Sequence, residues 1–178
     1  MSIKIIYKNS SSKIRSNNLV LFVDEKFNIN SIKKYFSNLE FLYINDLLKN
    51  SDLKKNLFVF ELSSKKKIIL VSIKKNIKNY DIENLGAEFY GRVNYGKNSE
   101  YFINSDSVIG KHQNFIEHFL HGLKLKSYEF NKYKSKKDTR LITINVTGNK
   151  NKPSTNSLLK FKALEDGTFY TRDLVSEP

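Results

Sequence analysis

Two apolar runs constrain this chain more than any other feature. Leu57-Phe58-Val59-Phe60-Glu61-Leu62 and Ile68-Ile69-Leu70-Val71-Ser72-Ile73 are almost continuously hydrophobic. A strand with one wet face alternates polar and apolar residues. Runs without that alternation belong in a sheet covered on both faces. The polar segment Ser63-Ser64-Lys65-Lys66 between them reads as a tight hairpin-type connection. Ile3–Tyr7 and Leu19–Val23 are further strand-like runs, Lys67–Ile73 is taken as the strand of the second run, and two weaker strands are expected at Tyr101–Asn104 and Leu141–Val146.

Helical periodicity alternates with these strands. Asp81–Asn94 places Ile82, Leu85, Phe89 and Val93 on one stripe, with Asp81 as the expected N-cap. Lys111–Lys126 places Phe115, Ile116, Phe119, Leu120 and Leu123 on a broad core-facing stripe. Shorter helical pieces are expected at Ser31–Phe36 and Ile44–Asn50, and a last helix over Ser157–Ser176 follows the breaker Pro153-Ser154-Thr155-Asn156. Strands and helices in this order, with nearly all-apolar strands, predict a three-layer α/β sandwich filling residues 1–152, with residues 153–178 as a separate helix.

That last helix is unusual. Ala163, Gly167 and Thr171 recur every four residues, flanked by Leu159, Leu164, Leu174 and Val175, while Glu165 and Asp166 are expected on its exposed side. A glycine inside a helix costs about 1 kcal/mol relative to alanine, so something is expected to pack against the helix backbone. Leu159, Ala163, Gly167, Thr171 and Leu174 are therefore the candidate interdomain packing residues. The expectation is a stub, cut just short of the partner it was built for.

Composition narrows the function classes. The 178 residues carry a net charge of +13 and no cysteine, so there is no disulfide framework and no thiolate nucleophile or metal ligand. No apolar stretch approaches the roughly 20 residues of a membrane span, and the N-terminus has no signal-peptide pattern. A cytoplasmic protein without membrane contact is expected. The charge itself is mostly lysine, with only Arg15, Arg92, Arg140 and Arg172 as arginines. Phosphate and base recognition favour the arginine fork, and abundant Lys, Asn and Ile also follow from A/T-rich codons. The one concentrated patch is Lys124, Lys126, Lys132, Lys134, Lys136 and Lys137, interleaved with Tyr128, Phe130 and Tyr133. It is the candidate polyanion contact, and a basic nucleic-acid-binding module is the alternative function.

Other constellations are weaker. His112, His118 and His121 fall on one expected helix, but His118 and His121 lack the i, i+4 spacing of a zinc pair and are read as surface or helix-end residues. Gly86, Gly91 and Gly96 do not form the Gly-x-Gly turn of a dinucleotide site. Gly148-Asn149-Lys150-Asn151-Lys152 is read as a flexible turn whose amides could also meet a phosphate.

Three segments carry a family resemblance. Gly122, Leu123, Leu125, Ser127, Tyr128, Phe130, Tyr133 and Lys134 match a Gly-x-x-Leu-x-Ser/Thr-Tyr-x-Phe-x-x-Tyr-Lys segment, and Thr171-Arg172-Asp173-Leu174-Val175-Ser176-Glu177-Pro178 is similar to an Ala-Arg-Asp-Leu-Val-Asn-Glu-Pro run. Asp81–Ala87 is a fainter third echo. In this respect the chain resembles the N-terminal domain of leucyl aminopeptidases, with Thr171 and Ser176 departing from the family's Ala and Asn. The resemblance implies a mixed sheet flanked by helices, similar to macro domains, and a linker helix leading into a peptidase domain. It further implies a homohexameric exopeptidase whose two divalent metals, zinc or manganese, are held by that other domain. No position here matches a catalytic or metal-ligating residue of the family. The chain is thus expected to be inactive alone, with no cofactor of its own, in a protein that releases N-terminal amino acids from peptides.

Overall fold

The computed structural model describes residues 2–8, 18–93, 99–110, 112–135 and 140–177. The two apolar runs form β3 (Leu57–Ser63) and β4 (Lys66–Ile73), an antiparallel hairpin with an irregularity between Glu61 and Ser63. β4 pairs in parallel with β2 (Asn18–Asp24), β2 with β5 (Ser99–Asn104), β5 with β6 (Leu141–Thr147), and β6 with β1 (Ser2–Tyr7). The resulting order is β1-β6-β5-β2-β4-β3, a mixed six-stranded sheet. Val20, Leu21, Phe22, Val23, Ile69, Leu70 and Val71 are completely buried, as their unbroken apolar sequence requires.

One sheet face is covered by α2 (Asn79–Val93) and α3 (Phe115–Lys126), whose Ile82, Leu85, Phe89, Phe115, Phe119 and Leu123 join Val20, Phe22 and Val71 in one core. The other face is covered by a 3₁₀ turn at Asn30–Tyr35 and by α1 (Asn38–Lys49), through Ile32, Ile44 and Leu48. α4 (Thr155–Ser176) lies outside α3. The α/β sandwich expected from the sequence is the observed architecture.

Local boundaries differ for identifiable reasons. α2 starts at Asn79, so Asp81 sits in the first turn rather than at the N-cap, where its carboxylate still favours the helix dipole. α3 starts only at Phe115 because Asn114 turns left-handed at φ 56°. α1 begins six residues before the expected piece. Ser37 caps it by accepting from Glu40 N while the Glu40 carboxylate accepts from Ser37 N, a complete capping box. The turn at 148–150 is held by Asp106, whose Oδ1 accepts from Asn149 N at 2.7 Å and Lys150 N at 2.6 Å. The Asn149 and Lys150 amides are thus satisfied internally rather than open to a phosphate.

Glycine decides how closely α2 and α3 approach. A Cβ on Gly122 would fall 1.9 Å from the Glu83 carbonyl oxygen, and one on Gly86 would fall 1.9 Å from that of Phe119. The two helices cross backbone to backbone at this point.

Candidate functional site on the outer helix

α4 has two different sides. The inner side runs Phe161, Glu165, Thr168, Arg172, a spacing of 4, 3 and 4 that returns to one face of a helix. Phe161 is buried and meets the His118 ring edge-on at 4.9 Å and the His121 ring at 5.2 Å. Glu165 is 5% exposed. Its carboxylate accepts from Lys124 Nζ at 2.6 Å and lies 3.4 Å from His121 Nδ1. Here the sequence reading was wrong on two counts. The sequence puts Glu165 on the exposed side and reads His121 as a surface or helix-end residue, yet His121 lies in the middle of α3 and both are buried, because each satisfies the other's polar group. Reading the helix by its apolar residues alone hid this face, although the Phe161–Glu165–Arg172 spacing marks it.

Further along, Arg172 Nη1 donates to the Leu125 carbonyl at 2.7 Å, placing a cation on the C-terminal end of α3, where the helix dipole favours it. The same guanidinium stands 5.4 Å over the Tyr128 ring, and Tyr128 packs on Phe169 at 5.4 Å. Tyr128 OH donates to Asp173 Oδ1 at 2.6 Å, and Lys132 pairs with Glu177. Burial first, then the bond to Asp173, holds the Tyr128 phenol above its ordinary titration range. At the end of β1, burial together with the Glu117 and Glu165 carboxylates raises the Tyr7 phenol. The seam between α3 and α4 is thus closed largely by charged and hydrogen-bonded groups.

The outer side is apolar and bare. Leu159 is 62% exposed and Leu174 54%, and Ala163, Gly167, Thr171 and Tyr170 are exposed beside them. A Cβ added to Gly167 would meet nothing within 4 Å. The candidate packing residues therefore form one continuous outward face, and no described residue of this chain approaches Gly167 closely.

The lysine patch is divided. Lys124 and Lys132 are paired with carboxylates of α4 and its C-cap, Lys126 and Lys134 are exposed, and Lys136 and Lys137 lie outside the described residues. His112 and His118 line a cleft of about 210 Å³ with Asn79, Gln113 and Asn114, and His118 Nδ1 lies 2.8 Å from Glu83 Oε1. Among the described residues no group of three or more His, Asp or Glu side chains is placed to hold a metal ion. No described helix is long and apolar enough to cross a membrane.

Comparison with solved structures places this arrangement. Tomato leucine aminopeptidase, solved as a mutant, superposes with a TM-score of 0.71 at 16% identity, over 99% of this chain and 39% of that one. The fold is that of the N-terminal part of a leucine aminopeptidase chain. The cytosol aminopeptidase of Coxiella burnetii matches at a TM-score of 0.60 and 11% identity, over 98% of this chain and 33% of its own. The bottromycin maturation enzyme BotP, solved in complex with Mn, matches at 0.62 and 11%, over 92% and 32%. This chain thus spans two fifths or less of the length of these three chains. No family model matches the sequence, and no curated protein matches it. The segments that carried the resemblance also meet in space: Gly122 touches Glu83, Arg172 caps Leu125, and Tyr128 binds Asp173.

Proposed function

We propose that this chain is the non-catalytic accessory domain of a leucine-aminopeptidase-like metallopeptidase, and that α4 is the linker helix whose outer face packs against a peptidase unit. In this reading residues 1–152 are the domain proper and 153–178 the connection. The domain supports oligomer assembly, as a homohexamer, and peptide access in a cytoplasmic exopeptidase. Two divalent metals, zinc or manganese, belong to the peptidase unit and give it a Lewis acid and an activated water.

The observation that carries this reading is the fold match over nearly the whole chain to 39% and 33% of two aminopeptidase chains. The bare stripe of Leu159, Ala163, Gly167, Tyr170 and Leu174 supports it. An apolar helix face rimmed by polar residues marks an interaction site.

Two measurements on the isolated chain test the reading. Incubated with Zn²⁺ or Mn²⁺ and leucine p-nitroanilide, it should release no p-nitroaniline above background, and turnover that follows the chain through purification overturns the non-catalytic assignment. In sedimentation at high concentration it should self-associate weakly through the stripe, and Leu159→Lys with Leu174→Lys should return it to a monomer. Clean monomeric behaviour of the unaltered chain argues against a docking face.

A further inference from the structure

The two sides of α4 are closely matched in large apolar residues. Leu158, Phe161 and Phe169 point toward the domain, while Leu159, Tyr170 and Leu174 point away from it. Hydrophobic burial is non-directional, so it gives the helix little reason to prefer one side. Counted by large apolar residues alone, the two settings of α4 on α3 that differ by half a turn are weakly discriminated.

The charged groups remove that ambiguity. Glu165 reaches Lys124 Nζ at 2.6 Å and His121 Nδ1 at 3.4 Å. The Glu165 carboxylate, like that of Glu117 on α3, also lies near enough to the Tyr7 phenol at the end of β1 to act on it. Seven residues on, Arg172 caps the Leu125 carbonyl. After half a turn Glu165 would be in water, His121 would be buried without its partner, and the end of α3 would lose its cation. Breaking a buried pair is strongly unfavourable even where an apolar replacement of the whole pair is tolerated, and buried polar contacts are best attested as devices that select one register among several.

We propose that the Glu165–Lys124–His121 cluster, aided by Arg172, fixes the rotational setting of α4 and so determines that Leu159, Ala163, Gly167 and Leu174 face outward. These are positioning residues, and the inference holds whatever covers the outer face, so it fails or stands apart from the proposed function.

The chain contains no cysteine, so Asn84→Cys and Lys162→Cys, both at exposed positions, give a unique pair of spin-label sites on α2 and α4. The labelled chain should show one narrow distance. In the Glu165→Leu/Lys124→Leu/His121→Leu background a second distance should appear, displaced by up to about 10 Å, the width of a helix. Glu165→Gln, the milder change, should show it as a minor population and decides the matter if the triple variant does not fold. A native-like single distance in both variants overturns the proposal. So does a featureless spread, which would mean that the cluster attaches α4 rather than orients it.

Discussion

Gly122→Ala and Gly167→Ala are the same chemical change on two helices, and the structure requires opposite outcomes. Alanine is favoured over glycine in a helix by about 1 kcal/mol, and at Gly167 nothing lies within 4 Å of the new methyl. That variant should be stabilised by about 1 kcal/mol, or about 2–4 °C in Tm for a chain of this size. At Gly122 the methyl would lie 1.9 Å from the Glu83 carbonyl oxygen, against an ordinary C···O contact of about 3.3 Å or more. Neither partner is a side chain that can swing away, so α2 and α3 must separate by roughly 1.5 Å along a contact packed to crystal density. Overpacking of this kind costs typically 1–3 kcal/mol, and a backbone clash belongs at the upper end. After the gain in helix propensity a net loss of about 2 kcal/mol remains, a fall of about 4–8 °C. Thermal unfolding followed by circular dichroism, with urea titrations to confirm unchanged slopes, reads both values. Stabilisation of both variants would refute the close crossing of α2 and α3, and destabilisation of both would refute the open outer face of α4.

Two further outcomes follow from single contacts. Phe161→Ala should cost about 3 kcal/mol, since Phe161, 7% exposed, is the one buried large apolar side chain of α4, and hydrogen exchange should show α4 losing protection before the sheet does. Glu40 gives the acid limb of stability: burial pushes its carboxyl up, but the Lys66 ammonium and the Ser37 cap outweigh this and hold it below its ordinary 4.5. A lowered folded value means that its contribution is present above pH 4.5 and lost as pH falls through the folded value. Glu40→Gln should therefore lose stability at neutral pH and show a shallower decline below pH 4.5 than the unaltered chain in pH-resolved unfolding.

The central strands were legible because burial on both faces leaves a chemical trace, but the equally apolar run of β3 misled, since β3 is an edge strand with Val59 and Glu61 exposed rather than covered on both faces. Every residue of Ile68–Val71 is apolar and every one is fully buried. α1 was half legible. Its first turns expose Leu39, Leu42 and Tyr43, so no polar face announced a helix, and the signal available was the Ser37-x-x-Glu40 capping box. The outward stripe of α4 was legible from its small-residue spacing. Its inward face was not, because a buried glutamate is rare unless paired, and its partners Lys124 and His121 are 41 and 44 residues away. Pairing at that separation is a property of the fold. Gly122 was legible only as part of a motif, since nothing local distinguishes a glycine that permits a helix crossing from one that does not.

Most positions in the core ask only for an apolar side chain of suitable volume, and many sequences meet that demand. A fold can therefore persist at the low identity found with the tomato enzyme. A few positions allow no such latitude. Gly86 and Gly122 face backbone oxygens, Arg172 needs its planar fork to reach the Leu125 carbonyl beneath the Tyr128 ring, and Tyr128 needs its hydroxyl on Asp173. All of them lie along one path, from the α2–α3 crossing through the end of α3 to the inner face of α4. These contacts join α2, α3 and the inner face of α4 and hold α4 against α3. A change that keeps the core intact but removes one of them, Arg172→Leu for instance, should leave the sheet's hydrogen-exchange protection unchanged while that of α4 falls. Equal loss in both would show that α4 is an integral part of the core rather than an arm held in place by this path.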